Sequence, residues 1–88
     1  MIATSLVQQF EEAAKESKNL RERPSNDSLL QLYSLFKQST EGDVNIEAPT
    51  NPFDFVAKAK YEAWSQLKGK SKEAAMQEYI DLVEKLRS

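Results

Sequence analysis

The chain of 88 residues contains no histidine and no cysteine. That excludes zinc sites built on Cys and His, thiol nucleophiles, Ser-His-Asp triads, histidine-held haem and disulfide scaffolds. Glycine, at 2 residues, and proline, at 3, are also scarce, so interrupted β architectures and disordered linkers are not expected. Acid–base chemistry falls to carboxylates, lysines and tyrosines. A chain this short forms one domain around one modest core, with a shallow cleft at best. A non-catalytic binding module is the expectation.

What is present is charge of both signs, 12 basic against 14 acidic residues, for a net charge of −2. Such a chain is a poor non-specific nucleic-acid binder, because duplex binding requires many phosphates to be neutralised together. The charge is unevenly spread: Lys58, Lys60, Lys68, Lys70 and Lys72 face only Glu62 over residues 56–72, which leaves room for one local anion site. Met1 to Phe10 carries neither a basic n-region nor a long apolar run. No signal peptide and no stable membrane insertion are therefore expected. The localisation expected is cytoplasmic.

Four helical patterns can be read, and no strand pattern competes. Leu6, Phe10, Ala13, Ala14 and Ser17 share a face of the first, which Thr4 or Ser5 can cap. Pro24 closes the next linker, and Ser25 or Asn26 opens a second helix to about Ser39. Leu29, Leu30, Leu32, Tyr33, Leu35 and Phe36 crowd that helix with more apolar positions than one core face needs. It should bury two faces, or one core face and one ligand or partner face. A loop of about twelve residues follows, from Glu41 to Pro52, and connections of that length are often functional. Fully extended it reaches on the order of 40 Å, twice a helix of about fourteen residues, so the second and third helices can run parallel. The third helix is expected over Phe53 to Leu67 with Gly69 as its left-handed terminator, and Ser71 caps the fourth, whose stripe is Met76, Tyr79, Ile80, Val83 and Leu86.

Glu11, Glu12 and Glu73 lie on polar helix faces and Asp43 suits a turn, so no catalytic residue is assigned. No metal or nucleotide motif occurs. Tyr33 and Lys37 share a helix face with Phe36 beside them, and Lys60 and Tyr61 repeat the lysine–aromatic pairing on the third helix. A hydroxyl and an ammonium converging on one point suit a phosphate, and a neighbouring ring suits a purine. Each of these residues is equally compatible with core or solvated surface.

The run from Tyr33 through Phe36, Lys37, Gln38, Gly42 and Asp43 to Asn45 resembles the signature of the acyl-CoA-binding protein family. So does the run from Phe55 through Lys58, Lys60 and Tyr61 to Trp64, with Leu67-Lys68-Gly69 and Ser71-Lys72-Glu73 after it. The resemblance extends from near Phe10 to Leu86, taking in Leu20 and Pro24-Ser25.

It implies an all-α four-helix bundle in up-down-down-up order, with a long loop between helices 2 and 3, as one acyl-CoA-binding domain over residues 1–88. The implied function is binding and intracellular transport or pool formation of long-chain acyl-CoA, by a monomer that needs no cofactor and does not transform its ligand. By position, Tyr33, Lys37 and Lys60 match residues that hold the CoA 3′-phosphate, and Phe36 matches the aromatic position beside the adenine. Lys18 matches a basic residue near the head group, Tyr61 and Tyr79 match aromatic positions lining the site, and Ala13, Leu29 and Leu30 match positions near the acyl groove. Phe36 stands where the family usually has tyrosine, so stacking survives without a hydroxyl bond. Tyr61 replaces the usual tryptophan, and residues 49–54 are one longer, with Pro52 added. The competing expectation is a helical interaction module whose surplus apolar face on the second helix receives a partner helix.

Overall fold

The computed structural model describes residues 5–87. Four helices follow in order: α1 (Leu6–Glu16), α2 (Asn26–Glu41), α3 (Phe55–Ser65) and α4 (Lys72–Arg87), with a short 3-10 turn, Ser17–Asn19, after α1. Among the described residues there is no strand.

Side chains start every helix. Ser5 and Gln8 form a reciprocal capping box on α1, the Gln8 N–H donating to Ser5 Oγ at 3.1 Å and the Ser5 N–H to Gln8 Oε1 at 3.3 Å. Thr4, the other cap considered, lies outside the described residues. Ser25 accepts the Ser28 N–H at 3.1 Å to start α2, and Ser71 accepts the Ala74 N–H at 3.1 Å to start α4. Each such cap contributes about 1 kcal/mol.

Three boundaries differ from the expectation. α2 runs on to Glu41 because its first break is Gly42, whose φ of +81° needs glycine and whose N–H still reaches the Gln38 carbonyl at 3.1 Å. The third helix begins at Phe55 rather than Phe53. Asn51 Oδ1 takes the Phe53 N–H at 2.9 Å, and Asp54 Oδ1 takes the Ala57 N–H at 3.0 Å, so the chain is still turning at Phe53. α3 then stops at Ser65, and residues 66–69 tighten into turns that end at Gly69, with φ +93°.

α4 packs against both α1 and α2, while α3 packs on α2. Directions follow from which ends meet. Gln38, late in α2, donates through Nε2 to the Lys70 carbonyl just before α4, so α2 and α4 run antiparallel. Trp64 near the end of α3 bonds to Gly42 at the end of α2, and Phe55 and Val56 at its start lie by Leu29 and Leu30, so α2 and α3 are parallel. Arg87 pairs with Glu16 at the two C-terminal ends of α4 and α1, making those two parallel. The order is up-down-down-up.

Phe10 and Ala13 of α1, Leu32 and Leu35 of α2, and Ala75, Tyr79, Ile80 and Val83 of α4 form the core. Fully burying a large apolar side chain contributes about 1.5–3 kcal/mol. A polar clasp closes one end: Gln38, fully buried, donates to Asp43 Oδ1 at 2.9 Å, and the same oxygen accepts the Gly69 N–H at 2.8 Å. The long loop is thereby fastened at its start to the α3–α4 turn.

Candidate functional site

The surplus apolar residues of α2 divide between two faces. Leu32 and Leu35 point into the core, which leaves Leu29 and Leu30 on the side towards α3. On α3, Phe55, Val56 and Ala59 recur at helical spacing on the face towards α2. Because the two helices are parallel, these first turns stand side by side and enclose an open groove of about 390 Å³. Arg23 lines it from the linker before α2, Asn26 from the first residue of α2, and Lys60 from α3. Its size falls within the range of small-molecule sites, and its wall is apolar with a few polar groups at the edge. Phe55 and Val56 remain 72% and 65% exposed, so this wall is uncovered apolar surface.

At the Lys60 edge, cations meet aromatic rings. Lys60 Nζ lies 5.1 Å from the centroid of Tyr33, bringing a residue of α3 against one of α2. Lys37 Nζ lies 5.5 Å from the ring centroid of buried Trp64 and 2.7 Å from Glu41 Oε2. Cation–π contacts at exposed sites contribute about 0.5–1 kcal/mol. The hydrogen bond that Lys37 donates to Glu41 raises the Lys37 pKa above its ordinary value against a smaller opposing effect of desolvation, and Tyr33 adds to the rise. Reciprocally, Lys37 holds the Glu41 carboxyl below its ordinary range, with Asn45 adding to the effect.

Phe36 packs beside these residues, its ring stacked on Phe10 at 5.5 Å between centroids and tilted against Tyr79 at 6.1 Å. It stays 40% exposed, so part of the ring is available to a ligand. Tyr79 is buried; it meets Phe10 edge-on at 5.1 Å and donates its hydroxyl to Ser17 Oγ at 3.2 Å. Lys18 follows in the exposed 3-10 turn. Tyr61 is half-buried on α3, one residue past Lys60 and so about 100° further round the helix.

Tyr33, Lys37 and Lys60 thus gather on the α2–α3 side, with Leu29 and Leu30 in the adjoining groove, whereas the Phe36 ring turns to Phe10 of α1 and Tyr79 of α4. Ala13 is elsewhere: it is buried at the α1–α4 contact, beside a smaller hollow of about 140 Å³ that also touches Ile80 and Val83. Sequence reasoning did not single out Arg23, Asn26, Phe55, Val56 or Ala59 as site residues. The signal was available, since a parallel pair of helices necessarily aligns their first turns. Among the described residues no cluster of three or more acidic, His or Cys side chains could hold a metal, and no helix is long and apolar enough to cross a membrane.

Fold and site define a small helical bundle with an open apolar groove and a lysine–aromatic edge. The Acyl CoA binding protein family model matches residues 7–83. The chain is 54% identical over 79 residues to an acyl-CoA-binding protein homolog of Drosophila melanogaster, covering 90% of this chain and 91% of that one. It is 53% identical over 77 residues to the acyl-CoA-binding protein of Dictyostelium discoideum, covering 88% and 90% of the two chains. The crystal structure of Oryza sativa Acyl-CoA-Binding Protein 2 superposes with a TM-score of 0.87 at 41% identity, over 93% of this chain and 90% of that one. This chain belongs to the Acyl CoA binding protein family.

Proposed function

We propose that this protein, as a single monomeric domain in the cytoplasm, binds long-chain acyl-CoA esters reversibly and one-to-one, forming a pool and carrying the ligand without transforming it. Tyr33, Lys37 and Lys60 hold the 3′-phosphate and Phe36 stacks beside the adenine. Lys18 approaches the head group, while Tyr61 and Tyr79 line the aromatic side of the site. The acyl chain lies along Leu29 and Leu30.

The observation that carries this reading is the Lys60–Tyr33 contact of 5.1 Å between the two helices that wall the apolar groove. A charged donor and a hydroxyl beside an apolar trough suit an amphiphile with an anionic head. A charge-assisted bond contributes about 1.5–3 kcal/mol. Each methylene moved from water onto apolar wall adds roughly 0.8 kcal/mol, so a long chain can contribute more than the head group. Family membership supports the same ligand class.

Titration calorimetry with palmitoyl-CoA, free CoA and palmitate tests the reading. Palmitoyl-CoA should bind most tightly, at one equivalent, and be recovered chemically intact. Binding no tighter than that of palmitate would remove the head-group part of the proposal.

A further inference from the structure

Helix stability does not account for Glu41. It is the last residue of α2, where a negative charge meets the negative end of the helix dipole. Its i,i+4 pairing with Lys37 also runs in the less favourable order, with the cation N-terminal to the acid. Yet the carboxylate is held by two groups. Lys37 Nζ lies 2.7 Å from Oε2, and Asn45 Nδ2, from the loop beyond α2, reaches Oε1 at 3.5 Å. The ammonium it engages is one of the three groups assigned above to the 3′-phosphate.

We infer that Glu41 is a built-in competitor for the phosphate site: it occupies Lys37 in the ligand-free protein and sets how strongly the site prefers ligands that carry a 3′-phosphate. The inference rests on the acyl-CoA reading. An incoming phosphate must take Lys37 from Glu41 and then share the ammonium with a carboxylate of like charge. The cost falls only on ligands with that phosphate, so Glu41 lowers discrimination against 3′-dephospho ligands and weakens the hold on phosphorylated ones. A site held in this way releases its ligand more readily, which suits a carrier. A glutamate carboxyl is ionised at neutral pH, and the bond it accepts from Lys37 favours that form further, so the competing charge is always present there.

Glu41→Gln tests this, because the amide oxygen can still accept from Asn45 while the charge is removed. Palmitoyl-CoA and 3′-dephospho-palmitoyl-CoA are titrated into the wild-type protein and the variant at two ionic strengths. Far-UV circular dichroism and a thermal melt confirm that the variant folds. The variant should bind the phosphorylated ligand about two- to fivefold tighter and leave affinity for the dephospho ligand unchanged. Its advantage should shrink at high salt, where the competing carboxylate is screened. Equal or weaker binding of the phosphorylated ligand by a folded variant overturns the inference and leaves the acyl-CoA reading standing. Failure of both proteins to bind palmitoyl-CoA removes both. Glu41→Ala is a second variant with the same expected direction, and tightening toward both ligands equally would show that Glu41 does not act through the phosphate.

Discussion

The indole N–H of Trp64 donates to the Gly42 carbonyl over 2.9 Å, tying the end of α3 to the end of α2. Trp64 is fully buried, and Lys37 lies over its ring. One side chain therefore helps to hold α3 alongside α2 and supports a cation between them.

Trp64→Phe should destabilise the fold by about 2–4 kcal/mol, combining lost packing with a carbonyl deprived of its donor. Because Trp64 is the sole tryptophan, urea denaturation has to be followed by far-UV circular dichroism rather than fluorescence. Ligand affinity should fall as well, since α3 loses its anchor to α2. A variant as stable as wild type would show that the groove walls are held by other contacts.

The clasp at Asp43 gives the protein an acid-sensitive joint. The Gly69 N–H and then Gln38 hold the Asp43 carboxyl below its ordinary value. The unfolded chain therefore binds a proton at higher pH than the folded one. The resulting stabilisation is complete above about pH 4–5 and is lost as pH falls through the lowered folded value. Asp43→Asn keeps an acceptor for the Gly69 N–H but removes the titration. The melting temperature of the variant should therefore fall less steeply than that of wild type between about pH 5 and 2. Glu41, depressed by Lys37, contributes in the same direction, so a residual slope should persist in the Asp43 variant.

The helix count, the order of the helices and the shared face of Tyr33 and Lys37 were legible in the sequence because each leaves a local mark. Ser25 and Ser71 announce helix starts, 29-30-33 and 76-79-80-83 announce faces, and the loop's reach permits a parallel pair. The outer wall of the groove was harder to read. Phe55 and Val56 look like core residues on periodicity alone, and only the pairing of α3 with α2, and with no larger layer, leaves them uncovered. The third helix was placed two residues early for a related reason: Phe53 fits the apolar pattern, but the Asn51 and Asp54 side chains keep its backbone in the turn. Glu41 reads as ordinary surface charge until its carboxylate is found on Lys37. Sequence spacing reports neighbours on one helix, whereas these features depend on what stands opposite.

Lys60 is the group on α3 proposed to reach the 3′-phosphate. Lys60→Ala should weaken palmitoyl-CoA binding by about ten- to a hundredfold, the equivalent of one charge-assisted bond. The loss should be much smaller with the 3′-dephospho ligand, as measured by calorimetry on the same preparation. Lys60 is exposed, so the melting temperature should barely move. Equal losses with the two ligands would mean that Lys60 does not read the phosphate.

Ala59 offers a test of the groove that leaves the head-group site alone. It lines the wall opposite Leu29 and Leu30 and is half-buried. Leucine there preserves helix propensity while taking up space in the trough. In the wild-type protein, affinity for a series of acyl-CoA chain lengths should rise by up to roughly fourfold per methylene, then level off when the groove is full. In Ala59→Leu the plateau should arrive about two to four carbons earlier, because the chain meets the added branched side chain before the wall ends. Binding of free CoA should be unchanged. If the plateau stayed where it was, the chain would have to lie outside the groove between α2 and α3.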